Sequence, residues 1–176
     1  TIRRFAKKPF TAKQLIEKGS FTPDLLEFLA NCVRIRKSVI ISGGTGTGKT
    51  TFLNAVSFFI PPEARVVSIE DTREIELSEQ QQWNWVPMSS RASNPEGQGA
   101  VSMLDLLVAS LRMRPDRIIV GEIRRKKEAE VLFEAMHTGH SVYATLHANN
   151  AEEAVTRLTT PPIDMPKAVL GSLPLI

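Results

Sequence analysis

The chain has 176 residues, 42% of them hydrophobic and 23% charged, an ordinary balance for one globular domain able to bury about 70% of its unfolded surface. The formal net charge of +3 is mild, and the basic clusters Arg3, Arg4, Lys7, Lys8 and Arg124-Arg125-Lys126-Lys127 lack the interleaved aromatics of a single-strand nucleic-acid platform, so no direct nucleic-acid binding is expected. The single cysteine, Cys32, excludes an internal disulfide, and no apolar run reaches the roughly 18–20 residues of a membrane-spanning helix.

In chain order, Thr11 and Gln14 are spaced as a capping box for a short helix ending near Gly19. Thr22-Pro23-Asp24 is a second start signal, with proline at the first helical position. Leu25, Leu26, Phe28, Leu29, Cys32 and Val33 follow at helical spacing and are expected to face a core. The apolar run from Ser38 to Ser42 predicts a buried strand, Thr51 to Phe59 a helix, and Pro61-Pro62 its stop. Arg65 to Ile69 predicts a strand with Glu70 and Asp71 at its end, and Trp83 to Ser89 another. Residues 93–99 form a loop by composition, and Val101 to Leu111 an amphipathic helix. Arg117 to Glu122 is a strand, Lys127 to His137 a helix, Ser141 to His147 a strand and Ala151 to Leu158 a helix. Such alternation predicts an α/β fold with a mostly parallel sheet covered on both faces.

Between the first strand and its helix, residues 43–50 read GGTGTGKT, which is G-x-x-x-x-G-K-[ST] without a mismatch. A strand delivering a glycine turn to a helix start brings backbone N–H groups and the helix dipole onto an anion. Gly43, Gly46 and Gly48 allow left-handed backbone and close approach to phosphates. Gly44, Thr45, Thr47 and Thr51 complete the expected nucleotide-binding segment, Lys49 suits the β/γ-phosphates, and the Thr50 hydroxyl suits the shell of Mg²⁺. The chain is therefore expected to bind a nucleoside triphosphate, and guanine specificity is disfavoured because no N-K-x-D element occurs.

Ligands gather at the carboxyl ends of parallel strands, and three further strands end in polar groups. Glu122 follows Ile118-Ile119-Val120-Gly121 and could serve the Mg²⁺ shell, or simply pair with Arg124. Glu70, Asp71 and Glu74 lie beyond another strand, and spacing alone does not choose among them as the group that orients water at a γ-phosphate. His140 precedes a strand and His147 ends it; each reads as a γ-phosphate contact or as a hydrogen-bonded surface histidine. A zinc reading of His137, His140 and His147 lacks companion cysteines and a fourth spaced ligand.

Together these segments resemble the secretion ATPase superfamily, which includes the motors of type II and type IV secretion, type IV pili and archaeal surface filaments. Four stretches carry the resemblance in order: GGTGTGKT, the acidic box IEDTREIEL, the Walker B region LRMRPDRIIVGEIR, and the histidine box TGHSVYATLHANNAEEAVTRL. It extends from TIRRF to RLTTPPIDMP, and Asn84-Trp85, Arg91 and Pro161-Pro162 look closest to the archaeal-type branch. Arg125 departs from the glycine or small acid that relatives often carry there. The resemblance implies a P-loop NTPase of RecA-like three-layer form that uses ATP and Mg²⁺. Glu74 would be the catalytic glutamate, Glu122 the Walker B glutamate supporting Mg²⁺ with Thr50, and His140 with His147 the paired histidines. Arg3, Arg4, Arg91, Arg112 and Arg124 are candidates for phosphate or subunit contacts.

The resemblance also implies a division into residues 1–36, a linker strand and leading helices, and residues 37–176, the ATPase core, with an N-terminal domain and a C-terminal end outside this chain. The expected assembly is a homo-hexamer formed through that N-terminal domain. It would be cytoplasmic, peripheral to the membrane through an inner-membrane platform protein, and would drive secretion or filament assembly. A nucleotide-gated assembly element with negligible hydrolysis and a small-molecule phosphotransferase are the alternatives.

Overall fold

The computed structural model describes residues 9–171 and 173. Arg3 and Arg4, and the linker strand expected around them, lie outside that span. Seven α-helices and five β-strands alternate through the described residues. α1 (Ala12–Glu17) starts at the Thr11–Gln14 capping box, and α2 (Pro23–Arg34) starts at Thr22, whose hydroxyl accepts the Leu25 N–H. β1 (Val39–Ser42) leads through the glycine loop into α3 (Lys49–Ser57). Next come β2 (Val66–Glu70), one 3-10 turn at Gln82–Asn84, β3 (Trp85–Ser89) and α4 (Met103–Leu111). β4 (Arg117–Val120), α5 (Lys126–His137), β5 (Ser141–Leu146), α6 (Ala151–Thr159) and the single turn α7 (Lys167–Leu170) complete the order.

The strands pair in the order β1-β5-β4-β2-β3, and every pairing is parallel. Their short apolar runs alternate between two cores. Ile40, Val67, Ile69, Ile118, Val120, Val142, Ala144 and Leu146 pack with the α4, α5 and α6 residues Leu107, Leu132, Phe133 and Leu158. Val39, Ile41, Val66, Ile119 and Tyr143 pack on the other face with Leu29 and Val33 of α2 and Leu53 and Val56 of α3. The result is a three-layer α/β sandwich, as the alternation predicts. Each fully buried Leu, Ile or Phe in it is worth about 1.5–3 kcal/mol relative to exposure.

Register lines up the carboxyl ends. Ser42 pairs with Leu146, Ala144 with Val120, and Val120 with Ile69, so the loops after β1, β5, β4 and β2 emerge side by side. They are stitched across the sheet edge: Gly121 N–H donates to Ile69 O at 2.9 Å, Ile123 N–H to Thr145 O at 2.9 Å, and Ser90 N–H to Glu70 O at 3.0 Å.

Two expectations need correction. Leu25 and Phe28 do not face the core; they are 42% and 51% exposed. The helical stripe of α2 is narrower than its apolar residues suggest: only Leu29, Ala30, Cys32 and Val33 are buried. Leu25 and Phe28 instead rim a groove that runs toward the glycine loop. The strand expected from Trp83 begins two residues later, because the 3-10 turn takes Trp83 and Asn84, leaving Trp83 exposed.

Candidate functional site

The glycine loop owes its form to its sequence. Gly46 and Gly48 have φ of 75° and 91°, the left-handed backbone that glycine adopts without a Cβ penalty. Gly43 is required sterically: a Cβ there would lie 2.6 Å from the Thr47 hydroxyl oxygen. Gly48 caps α3 with no side-chain hydrogen bond, whereas α1, α2, α4 and α6 begin at side-chain caps from Thr11, Thr22, Ser102 and Asn150. The first-turn N–H groups of α3 are thus left to the loop's concavity, as an anion site needs. Lys49 folds back, and its Nζ donates to Gly43 O at 2.8 Å and Gly44 O at 2.6 Å. The Thr47 hydroxyl donates to Gly44 O at 2.9 Å.

Beside the loop lies a cleft of about 420 Å³ over the carboxyl ends of β2, β4 and β5. Thr45, Gly46, Gly48, Lys49, Thr50 and Thr51 form one wall; Glu70, Asp71, Glu74, Glu122, Arg124 and His147 line the rest. Gly43, Gly44 and Thr47 instead face the larger groove of about 780 Å³ bounded by Phe10, Phe21, Leu25 and Phe28. The glycine loop therefore forms a partition between an acidic cleft and an apolar groove.

Four polar side chains run as a row across the cleft. Glu122 Oε2 accepts from Arg124 Nε at 2.8 Å and pairs with Nη2 at 2.7 Å. Arg124 Nη1 reaches Asp71, and Asp71 accepts the Ser90 hydroxyl at 2.7 Å. On the other side, His147 Nε2 stands 3.5 Å from Glu122 Oε1. Glu122 thus both lines the cleft and pairs with Arg124. The carboxylates raise the affinity of the Arg124 guanidinium for its proton, the hydrogen bond to Glu122 being the largest cause. The Thr145 hydroxyl is also bonded to Gly121 O, pinning β4 to β5 just before Glu122.

The acidic segment after β2 is held from two sides. Glu70 is buried, and its Oε1 accepts the backbone N–H groups of Glu74 at 2.9 Å and Ile75 at 3.1 Å. Asn54, on the buried face of α3, donates from Nδ2 to Glu74 O at 3.0 Å and accepts the Glu76 N–H on Oδ1 at 3.1 Å. Burial pushes the Glu70 carboxyl above its usual range, opposed by the two backbone N–H bonds. Sequence reasoning missed Asn54. Its signal is an asparagine in the apolar, helix-forming stretch after the loop, where it is unfavourable unless its amide is used.

Not every candidate joins this group. His140 sits at the amino end of β5, where its Nδ1 lies 3.2 Å from Ala135 O and 3.1 Å from the Thr138 hydroxyl. A six-residue strand spans about 20 Å, so within one subunit His140 and His147 are not a pair at one site. Arg112 caps the carboxyl end of α4 and does not line the cleft. Arg91 bridges to Val101, donates from Nε to Gly99 O at 2.7 Å, and lines an adjoining groove together with Glu122 and Arg124.

Comparison with known proteins bears on the family and the fold. The family model described as Type II/IV secretion system protein matches residues 1–168. The uncharacterized protein MJ1287 of Methanocaldococcus jannaschii is 43% identical over 159 residues, covering 90% of this chain and 57% of that protein. The type IV secretion system protein PtlH of Bordetella pertussis is 40% identical over 134 residues, 76% of this chain and 39% of PtlH. Among solved structures, the pilus retraction motor PilT with bound ADP matches with a TM-score of 0.72 at 26% identity, covering 97% of this chain and 47% of PilT. The VirB11 ATPase of the Brucella suis type IV secretion system, in complex with sulphate, matches with a TM-score of 0.69 at 25% identity, over 98% of this chain and 53% of VirB11. The chain thus spans 39–57% of the length of these four proteins. By sequence and by fold, it belongs to the type II/IV secretion system protein family.

Proposed function

We propose that this chain is the ATP-hydrolysing core of a secretion- or pilus-type motor. The observation that carries the reading is the uncapped start of α3, with Lys49 and Thr50, opening into the same cleft as Glu74, Glu122 and His147. The named ATPase and motor among the structural relatives support it.

A phosphate loop facing the carboxylates of Asp71, Glu74 and Glu122 would need a divalent cation to offset their charge against a polyphosphate. The hard oxygens of Thr50 and Glu122 would hold Mg²⁺, directly or through water, and the ion would neutralise charge on the phosphates. Lys49 exchanges the Gly43 and Gly44 carbonyls for the β- and γ-phosphates. Glu74 orients a water and takes its proton as the water oxygen attacks the γ-phosphorus and the bond to the bridging oxygen breaks. Arg124 holds Glu122 in register, and His147 contacts the γ-phosphate. Loss of that phosphate moves this motor core against an N-terminal domain. In a homo-hexamer, Arg91 and Arg112 are candidates for contacts with phosphate or with neighbouring subunits. Docking on a membrane platform protein from the cytoplasmic side converts the motion into secretion or filament assembly.

The test is Mg-ATP hydrolysis per chain of the full-length protein as its concentration rises, with Lys49→Ala as the blank. Specific activity that climbs with concentration supports a site completed between subunits. Flat activity argues for a self-sufficient site. A phosphorylated acceptor among the products overturns the motor in favour of a phosphotransferase, and nucleotide binding without turnover overturns it in favour of a nucleotide-gated element.

A further inference from the structure

Glu74 has its backbone gripped at both ends. Its N–H is held by Glu70 Oε1, and the same oxygen takes the next N–H, of Ile75. Its C=O is held by Asn54 Nδ2, and Asn54 Oδ1 takes the N–H of Glu76. Both gripping residues are almost fully buried, at 3% and 6% exposure. Their purpose is not packing. A carboxylate and an amide in the sandwich interior cost several kcal/mol unless hydrogen-bonded, and an apolar side chain would fill either position at no such cost. Glu70 meets that cost through the two backbone N–H bonds that Oε1 accepts.

The two grips have different origins. Glu70 is the last residue of β2, next to β4, where a Cβ added at Gly121, the residue before Glu122, would meet it at ordinary contact distance. Asn54 stands on α3, the helix that begins with Lys49 and Thr50 of the phosphate loop. The segment 74–76 is thereby referenced at once to the strand edge that bears Glu122 and to the helix that bears the phosphate-binding groups.

Resting on the ATPase reading above, we infer that Glu70 and Asn54 are positioning residues that together aim Glu74 into the cleft, without touching nucleotide themselves. Glu70 acts as a hydrogen-bond acceptor and its charge is dispensable. Asn54 acts as donor and acceptor together, a combination that aspartate and leucine both lack. Hydrolysis requires the carboxyl of Glu74 within about 3 Å of the attacking water, and a displacement of about 1 Å costs on the order of 10²-fold.

The experiment uses the full-length protein with Glu70→Leu, Glu70→Gln, Asn54→Leu, Glu74→Gln and the two Leu variants in the Glu74→Gln background, reading kcat and the Kd for Mg-ATP. The expected result is a kcat about 10–100-fold lower in each Leu variant with Kd changed less than about threefold, because only the transition state uses the aim of Glu74. Glu70→Gln, which keeps the acceptor, should recover most of that loss. In the Glu74→Gln background each Leu substitution should cost less than about twofold more, as residues acting through one group are not additive. A Gln variant as impaired as Leu, additive losses, or Kd weakening in step with kcat would each overturn the inference. Should a Leu variant fail to fold, the recovery in Glu70→Gln and its additivity with Glu74→Gln still decide. Wild-type protein without Lys49-dependent turnover would overturn the ATPase reading itself, whereas turnover indifferent to both Leu variants overturns this inference alone.

Discussion

Arg124 directs two nitrogens, Nε and Nη2, at one oxygen of Glu122. The other oxygen, Oε1, is left toward His147. A guanidinium ordinarily meets a carboxylate oxygen for oxygen; here it grips one side and turns the second into the cleft. Lysine carries a point charge on a flexible stem and cannot reproduce that orientation. Arg124 is 56% exposed at its side chain, so the pair's value to stability is small and its value lies in aim. Arg124→Lys and Arg124→Ala should each lower kcat by about tenfold or more while thermal stability moves little. Turnover equal to wild type in both variants would remove Arg124 from this role.

Gly43 is the loop position with least room. The Cβ of an alanine there would meet the Thr47 hydroxyl oxygen at 2.6 Å and Lys49 Cγ at 3.2 Å. Gly43→Ala should therefore distort the loop and weaken Mg-ATP binding by about tenfold or more, on the order of 1.4 kcal/mol. Adding Thr47→Ala removes the tighter contact and should recover part of the affinity. Calorimetric titration of the two variants checks it; wild-type affinity in Gly43→Ala, or no recovery in the double variant, would contradict the steric account.

Glu70 carries a pH signature. Burial is the largest cause pushing its carboxyl above the ordinary value of 4.5, and the nearby Glu74 charge adds to it. A folded chain that holds this proton more tightly than the unfolded chain loses stability as pH rises from the unfolded value through the folded one. Glu70→Gln has no such proton. Its melting temperature relative to wild type should therefore climb as pH rises from the unfolded value and level off above the folded value. A difference that shrinks with rising pH would reverse the sign and refute the buried-acid account.

Much of this site is legible in the chain because its parts are local. GGTGTGKT sits between an apolar run and a helix, and each short strand announces itself by a run of Val and Ile. The polar residues at strand ends follow from the parallel topology that this alternation demands. What stays hidden depends on long-range pairing. Asp71 and Glu122 lie far apart in the chain, and only the adjacency of β2 and β4 lets Arg124 join them. Asn54 and Glu74 are twenty residues apart, and no spacing rule relates them. The outward turn of Leu25 and Phe28 was equally out of reach, since helical periodicity defines a stripe without saying how much of it the next layer covers. The separation of His140 from His147 needs only the strand between them, for an intervening run of six extended residues already sends its two ends to opposite edges of the sheet.

β5 lies between the strand that delivers the phosphate loop and the strand that delivers Glu122, hydrogen-bonded to both. Its side chains alternate between the two cores: Val142, Ala144 and Leu146 on one face, Tyr143 on the other. A slip by a single residue would turn every one of them inside out. β5 therefore fixes the spacing between the phosphate loop and Glu122, and its two-faced register leaves it no freedom to slide within the sheet.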